Sequence, residues 1–126
     1  MIPVHLFDLV SQHNSWLTVR QSALAGNIAN ANTPGYKALD TQDFESVLNS
    51  VPLGMAATQP GHLNPPPSGP PVTDVREDES WDVLHSGNTV SLEQELVKAG
   101  EVRGSFALNA GVTKAFHRML LASTKG

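Results

Sequence analysis

The chain has no cysteine among its 126 residues. Disulfides, thiolate metal sites and cysteine nucleophiles are therefore excluded. Aromatic residues are sparse: Phe7, Trp16, Tyr36, Phe44, Trp81, Phe106 and Phe116. With so little aromatic mass near its centre, a chain of this length builds little core of its own. Basic residues number 8 against 12 acidic ones, with no basic block. A nucleic-acid surface needs clustered Lys or Arg, so none is expected. No apolar run reaches the ~18 residues of a membrane span. The opening "MIPVHLFDLV" has no positive leader and is interrupted by Asp8, so it reads as no secretory signal.

Catalytic patterns are missing as well. The five histidines, His5, His13, His62, His85 and His117, never stand four apart. No HExxH, GxSxG, GxxxxGK or GxGxxG occurs. The acidic run from Asp74 to Asp82 lacks the spaced acids and central glycine of an EF-hand loop and reads as a solvated charge run. The expectation is a non-enzyme with no cofactor, no metal and no small-molecule substrate.

What is present gathers at the two ends. Residues 4 to 31 read as one helix, roughly 40 Å long at ~1.5 Å per residue. Leu6, Val10, Leu17, Leu24, Ile28 and Ala31 form one apolar row, and Leu9, Trp16 and Ala23 a parallel row at steps of seven. His13, Arg20 and Asn27 interrupt the seam with polar groups. "ANTPGYKA" then ends the helix. Thr33, Pro34, Gly35 and Tyr36 suit a type II turn, and Asn30 and Asn32 can bond carbonyls freed at the helix end. A short amphipathic helix is expected near 41 to 50, capped by Asp40 or Thr41 and built on Phe44, Val47, Leu48 and Val51.

From residue 52 to 86 the texture is Pro- and Gly-rich and then acidic. It reads as an extended linker, with Trp81 and Leu84 anchoring its far end. Order resumes at "SGNTVSLEQEL", where Ser91 and Gln94 suggest a capping box. A final helix is expected from Leu92 to Ser123, its apolar side including Leu96, Val102, Phe106, Phe116 and Leu120. Gly100, Gly104, Ala107, Gly111, Ala115 and Ala122 form a second stripe. Interior glycines each cost ~1 kcal/mol relative to alanine, so close approach by another backbone is the expected reason for them.

The fold class expected is all-α. Two long terminal helices form an antiparallel coiled-coil-like hairpin, with a short helix and an extended Pro-rich linker between them. The divisions are 1–33, 34–51, 52–86 and 87–126. Such a hairpin buries only one face of each helix. The remaining stripes are expected to face other copies of the chain, giving a helical filament or tube, and the free monomer is expected to be loose at both ends. Leu17, Leu24, Ile28, Gly100, Gly104, Phe106, Gly111, Phe116 and Leu120 are the packing residues expected.

"LAGNIANANTPGYKA", Leu24 to Ala38, closely resembles the N-terminal signature of the flagellar axial proteins, the rod, hook and hook-junction family. The motif residues are Asn27, Ile28, Ala29, Asn30, Thr33, Pro34, Gly35, Tyr36 and Lys37. The short length points to a rod protein, and "GNTVSLEQEL" resembles the opening of the C-terminal helix in one proximal-rod branch more than in its sister. The final helix departs from the family's polar-rich sequence through its glycines. The resemblance implies a structural subunit of the proximal rod in the periplasmic space, passing torque from motor to hook. It also implies export by the flagellar type III apparatus. The implied partners are other rod proteins and membrane-ring and export-gate components of the basal body. The alternatives are the sister rod protein, or a helical adaptor or export chaperone that forms no filament.

Overall fold

Leu17, Leu24 and Val102 are the side chains around which the two ends of the chain close, with Trp16 and Phe106 packed at their margin. The computed structural model describes residues 2–50, 61 and 73–126. Helix α1 runs Ile2–Ala29, strand β1 Leu39–Thr41, helix α2 Phe44–Asn49, strand β2 Val75–Glu77 and helix α3 Leu92–Thr124. The protein is thus mostly helical, with its longest elements at its two ends.

Helix α1 persists because Pro3 falls in its first turn, where a missing N–H costs nothing, and no other proline follows before Pro34. Its end tightens. Asn30 N–H still reaches Gly26 O, but Ala31 N–H bonds Ile28 O and Thr33 N–H bonds Asn30 O, three residues back rather than four. The helix therefore stops two residues short of the expected Ala31. Helix α3 starts where Ser91 Oγ accepts the Gln94 N–H, with Glu93 and Glu95 in its first turn complementing the positive helix end. The reciprocal half of a capping box is missing. The Gln94 side chain is instead buried against the preceding loop, donating to Glu79 O at 3.0 Å.

The two long helices lie antiparallel. Along α1, Phe7 meets Phe116 edge-on at 5.7 Å, and His13 and Asn14 meet Asn109 at 2.7 and 2.9 Å. Further on, Arg20 reaches Glu101 at 3.5 Å, and Asn27 reaches Glu95 at 3.0 Å. The polar residues that break the seam every seven positions are the ones that pair across it.

Three findings differ from the sequence reading. First, two short strands exist where none was expected. Strand β1 pairs antiparallel with β2, Leu39 opposite Glu77 and Thr41 opposite Val75. Asp40 and Thr41 consequently belong to a strand and do not cap α2; Asp43 occupies that position without a side-chain bond. Second, part of the expected linker is folded. Residues 51–60 and 62–72 lie outside the described residues, but 73–86 are bound to the rest of the chain. Trp81 and Leu84 do not anchor that segment by burial, since both side chains are exposed; their backbone N–H groups hold it instead. Third, Trp16, assigned to an outward row, is covered within the chain, beside Phe44 and donating to Gln42 O at 2.8 Å. A Cβ at Gly100, Gly104 or Gly111 would meet nothing within 4 Å among the described residues, so these positions are open.

The fully buried apolar set is small for the length of the helices. Replacing Leu17 by alanine is expected to cost about 2–5 kcal/mol, because the void is ringed by two rigid helices that cannot close into it. Urea unfolding followed by circular dichroism checks this, and a loss below about 1 kcal/mol is the contrary result.

Candidate functional site

The turn after α1 is closed by one hydrogen bond, Tyr36 N–H to Thr33 O at 3.2 Å. Gly35 stands at φ 74°, the left-handed value that the third residue of a type II turn needs, and Pro34 presets the residue before it. The turn does not stand alone. Gly35 N–H donates to Ser86 O, Thr89 N–H donates to Tyr36 O, and Ala38 N–H donates to Thr89 Oγ1 at 2.8 Å. Lys37 Nζ reaches Gly87 O at 3.2 Å. Gly87 is also left-handed, at φ 80°, and a Cβ there would lie 3.7 Å from Gly35 Cα. The two sequence blocks noted above, 24–38 and 87–96, are therefore one folded unit.

Two buried asparagines lock it. Asn27 spends its whole amide. Its Nδ2 donates to Leu39 O at 2.7 Å and to Glu95 Oε2 at 3.0 Å, while Oδ1 accepts Leu39 N–H at 2.9 Å and the Tyr36 hydroxyl at 3.3 Å. It thus holds the backbone of Leu39 as a neighbouring strand would. Asn88 caps the end of α1 from the other side of the chain. Its Nδ2 lies within 3.1 Å of the carbonyls of Asn30, Ala31 and Thr33, and its Oδ1 accepts Val90 N–H at 2.7 Å. These carbonyls belong to the turn just past Ala29, and those of Asn30 and Thr33 also accept the backbone N–H groups of Thr33 and Tyr36. Asn30 serves the same end locally, donating to Gly26 O at 2.8 Å.

Beside this unit lies a knot of charge. Lys98 Nζ contacts Asp40 Oδ2 at 3.2 Å and also bonds Asp78 Oδ2. Arg20 Nε contacts Asp40 Oδ1 at 3.2 Å, with its guanidinium over the Trp16 ring. Burial alone pushes the Asp40 carboxyl up. The Thr41 N–H, Arg20 and Lys98 together outweigh it and hold the carboxyl below its ordinary value. Burial likewise pushes the Lys98 ammonium down, but Asp78 and Asp40 outweigh it and hold it above its ordinary value. Glu95 is fully buried, and among the described residues its Oε1 has no hydrogen-bond partner; Lys98 Nζ lies 4.0 Å away.

Among the motif residues, Asn27 is buried and Tyr36 half-buried, while Ile28, Ala29, Thr33, Pro34, Gly35 and Lys37 are exposed. Of the packing residues, Leu17 and Leu24 are buried and Phe106 and Phe116 half-buried, while Ile28, Gly100, Gly104, Gly111 and Leu120 are exposed. Sequence reasoning missed Asn88, Glu95, Asp40 and Lys98. Asn88 and Glu95 carried a hint, since both lie in the second recognised block; a lone asparagine in a loop has no periodicity to betray it.

This arrangement joins, braces and orients two helices. Asn27→Ala leaves the Leu39 amide and Glu95 without partners, at about 1–3 kcal/mol for each buried polar group. Asn27→Asp, nearly the same size, sets a second carboxylate beside Glu95. It is expected to be at least as destabilising at neutral pH and to recover on acidification. Urea midpoints for both variants check this, and two near-native variants would contradict it.

The charge knot has its own pH signature. The lowered Asp40 contributes stability that is present above its unfolded value, 3.8, and lost as pH falls through its folded value. The raised Lys98 contributes stability that is present below its unfolded value, 10.5, and lost as pH rises through its folded value. Lys98→Met is expected to abolish the alkaline loss and shrink the acid one. Unfolding midpoints across pH 3 to 11 test this, and unchanged flanks in the variant would contradict it.

Comparison with known proteins places residues 14–37 under the family description "Flagella basal body rod protein". The flagellar basal body rod protein FlgB of Agrobacterium fabrum is 42% identical, across 99% of this chain and 96% of that protein. The protein of the same name from Aeromonas hydrophila is 37% identical over 60% of this chain and 59% of its own length. That from Escherichia coli K12 is 38% identical over 60% of this chain and 61% of its own length.

Proposed function

Since the chain belongs to the FlgB family of flagellar basal body rod proteins, we propose that it works as a polymerising strut in which the turn unit sets the angle between core and arm. It is a structural subunit of the bacterial flagellar basal-body rod, and the sister protein FlgC is not favoured. Its neighbours include other rod components.

The observation that carries the mechanism is the interlock of the two blocks. Asn27, Asn88 and the paired left-handed glycines fix how the chain leaves α1 relative to how it enters α3. A strut that passes torque needs this junction stiff. Hydrogen bonds that converge on two buried amides resist bending better than a simple loop. In this reading residues 1–33 and 87–126 form the axial core and 34–51 the connecting arm, with 52–86 between. The terminal helices extend the seven-residue spacing of His13, Arg20 and Asn27 as a coiled-coil-like hairpin. Half-exposed Leu9, Leu96, Leu108 and Leu121 supply apolar surface for neighbouring subunits. Periplasmic placement, type III export, and contacts with the membrane ring and export gate are expected from the family. A structural role makes no call on catalysis or cofactors.

Replacing Pro34 and Gly35 together by alanine tests the turn. A Cβ at Gly35 would meet nothing within 4 Å, so the cost comes from its positive φ, about 1–2 kcal/mol for an L side chain. The variant is expected to keep its helices by circular dichroism yet fail to restore rods and swimming to a host without its own FlgB. Normal rods by electron microscopy would remove the turn from the mechanism.

A further inference from the structure

The loop between β2 and α3 presents apolar side chains without being loose. Trp81 N–H donates to Gln94 Oε1 at 3.2 Å, Leu84 N–H to Asn88 O at 3.0 Å and Gly87 N–H to Leu84 O at 2.9 Å. Yet Trp81 is 68% exposed, Val83 62% and Leu84 49%. A tryptophan held out on a pinned backbone is prearranged for contact, because little ordering remains to be done on binding. Glu79 and Asp82 flank it, both exposed, and neither forms an ion pair among the described residues.

The far half of α3 is its complement. After Glu101 the chain carries four basic residues and no acidic one. Lys114, Arg118 and Lys125 share one exposed row, and Leu108, Val112 and Met119 share another, at helical steps of three, four and seven. Between the rows lie Gly104, Gly111 and Ala115, which leave a shallow floor.

We infer that the Trp81–Leu84 loop of one molecule docks on the Leu108–Lys125 face of a second copy. Trp81, Val83 and Leu84 meet the apolar row, and Glu79 and Asp82 meet the cationic row. One molecule cannot make this contact with itself. Its loop is bonded to Gln94, and Val112 lies 18 residues further along the same helix, about 27 Å away. Because the two surfaces sit at opposite ends of α3, the contact is head-to-tail and leaves a free end for the next copy. The inference rests on the reading of the chain as a polymerising rod subunit, and it names which surface joins which.

Sedimentation of the purified full chain tests it, with folding of each variant checked by circular dichroism. The unaltered chain is expected to self-associate with rising concentration and less so in high salt. Glu79→Lys with Asp82→Lys, Lys114→Glu with Arg118→Glu, and Trp81→Ser are each expected to weaken association by about tenfold or more. Mixing the two charge-reversed chains restores it, because each now matches the other. Unaltered association in the variants, no recovery in the mixture, or an unaltered chain that stays monomeric would each overturn the docking. The rod reading is scored separately, by whether the unaltered chain restores swimming to a host without its own FlgB. Failure there removes the rod reading, whereas failure only in the centrifuge removes this contact.

Discussion

The side-chain amide of Asn27 is the constraint on which the rest of the fold depends. It touches the end of α1, the backbone of β1, the Tyr36 hydroxyl and the buried carboxylate of α3 at once. No apolar residue could do this, because packing alone permits a helix pair to slide by a turn. A fully bonded amide permits one register only. The same seven-residue spacing sets Arg20 beside Glu101, in an exposed contact, and His13 beside Asn109, in a half-buried one. These pairs contribute less to stability than to uniqueness. Buried polar contacts often break even against hydrophobic replacements, but a broken one is expensive.

That division of labour suits a thin core. Leu17, Leu24 and Val102 are fully enclosed, while many leucines and valines of α3 stay half-exposed. Shape is set within one molecule by polar bonds, and apolar surface is left over for others. The open glycines of α3 belong to the same pattern. They cost helix stability, and none of the described residues takes advantage of the space.

The long helices and the turn were legible because their signals are periodic or stereochemical. A seven-residue apolar row and a Pro-Gly pair each have few structural meanings. The β1–β2 ribbon was not legible, since three residues are too few to display an alternation and Val75, Arg76 and Glu77 are all exposed. Asp40 looked like a helix cap because an aspartate before a short helix usually is one. What it answers to is Arg20 and Lys98, distant in sequence, and no local rule records them. Asn88 and Glu95 were hidden for the same reason: their partners lie 55 to 68 residues away. Trp81 was misjudged because tryptophan is normally an anchor, and here the backbone does the anchoring.

The cap that Asn88 places on α1 comes from the last third of the polypeptide, 55 to 58 residues beyond the carbonyls it serves. A chain delivered amino end first, whether from a ribosome or through a narrow conduit, has no means of sealing its first bend early. That bend must wait, pliable, until the first 88 of the 126 residues have emerged. Emergence of Asn88, rather than of the bend itself, thereby becomes the event that makes the junction rigid, and a shorter piece is a supple one.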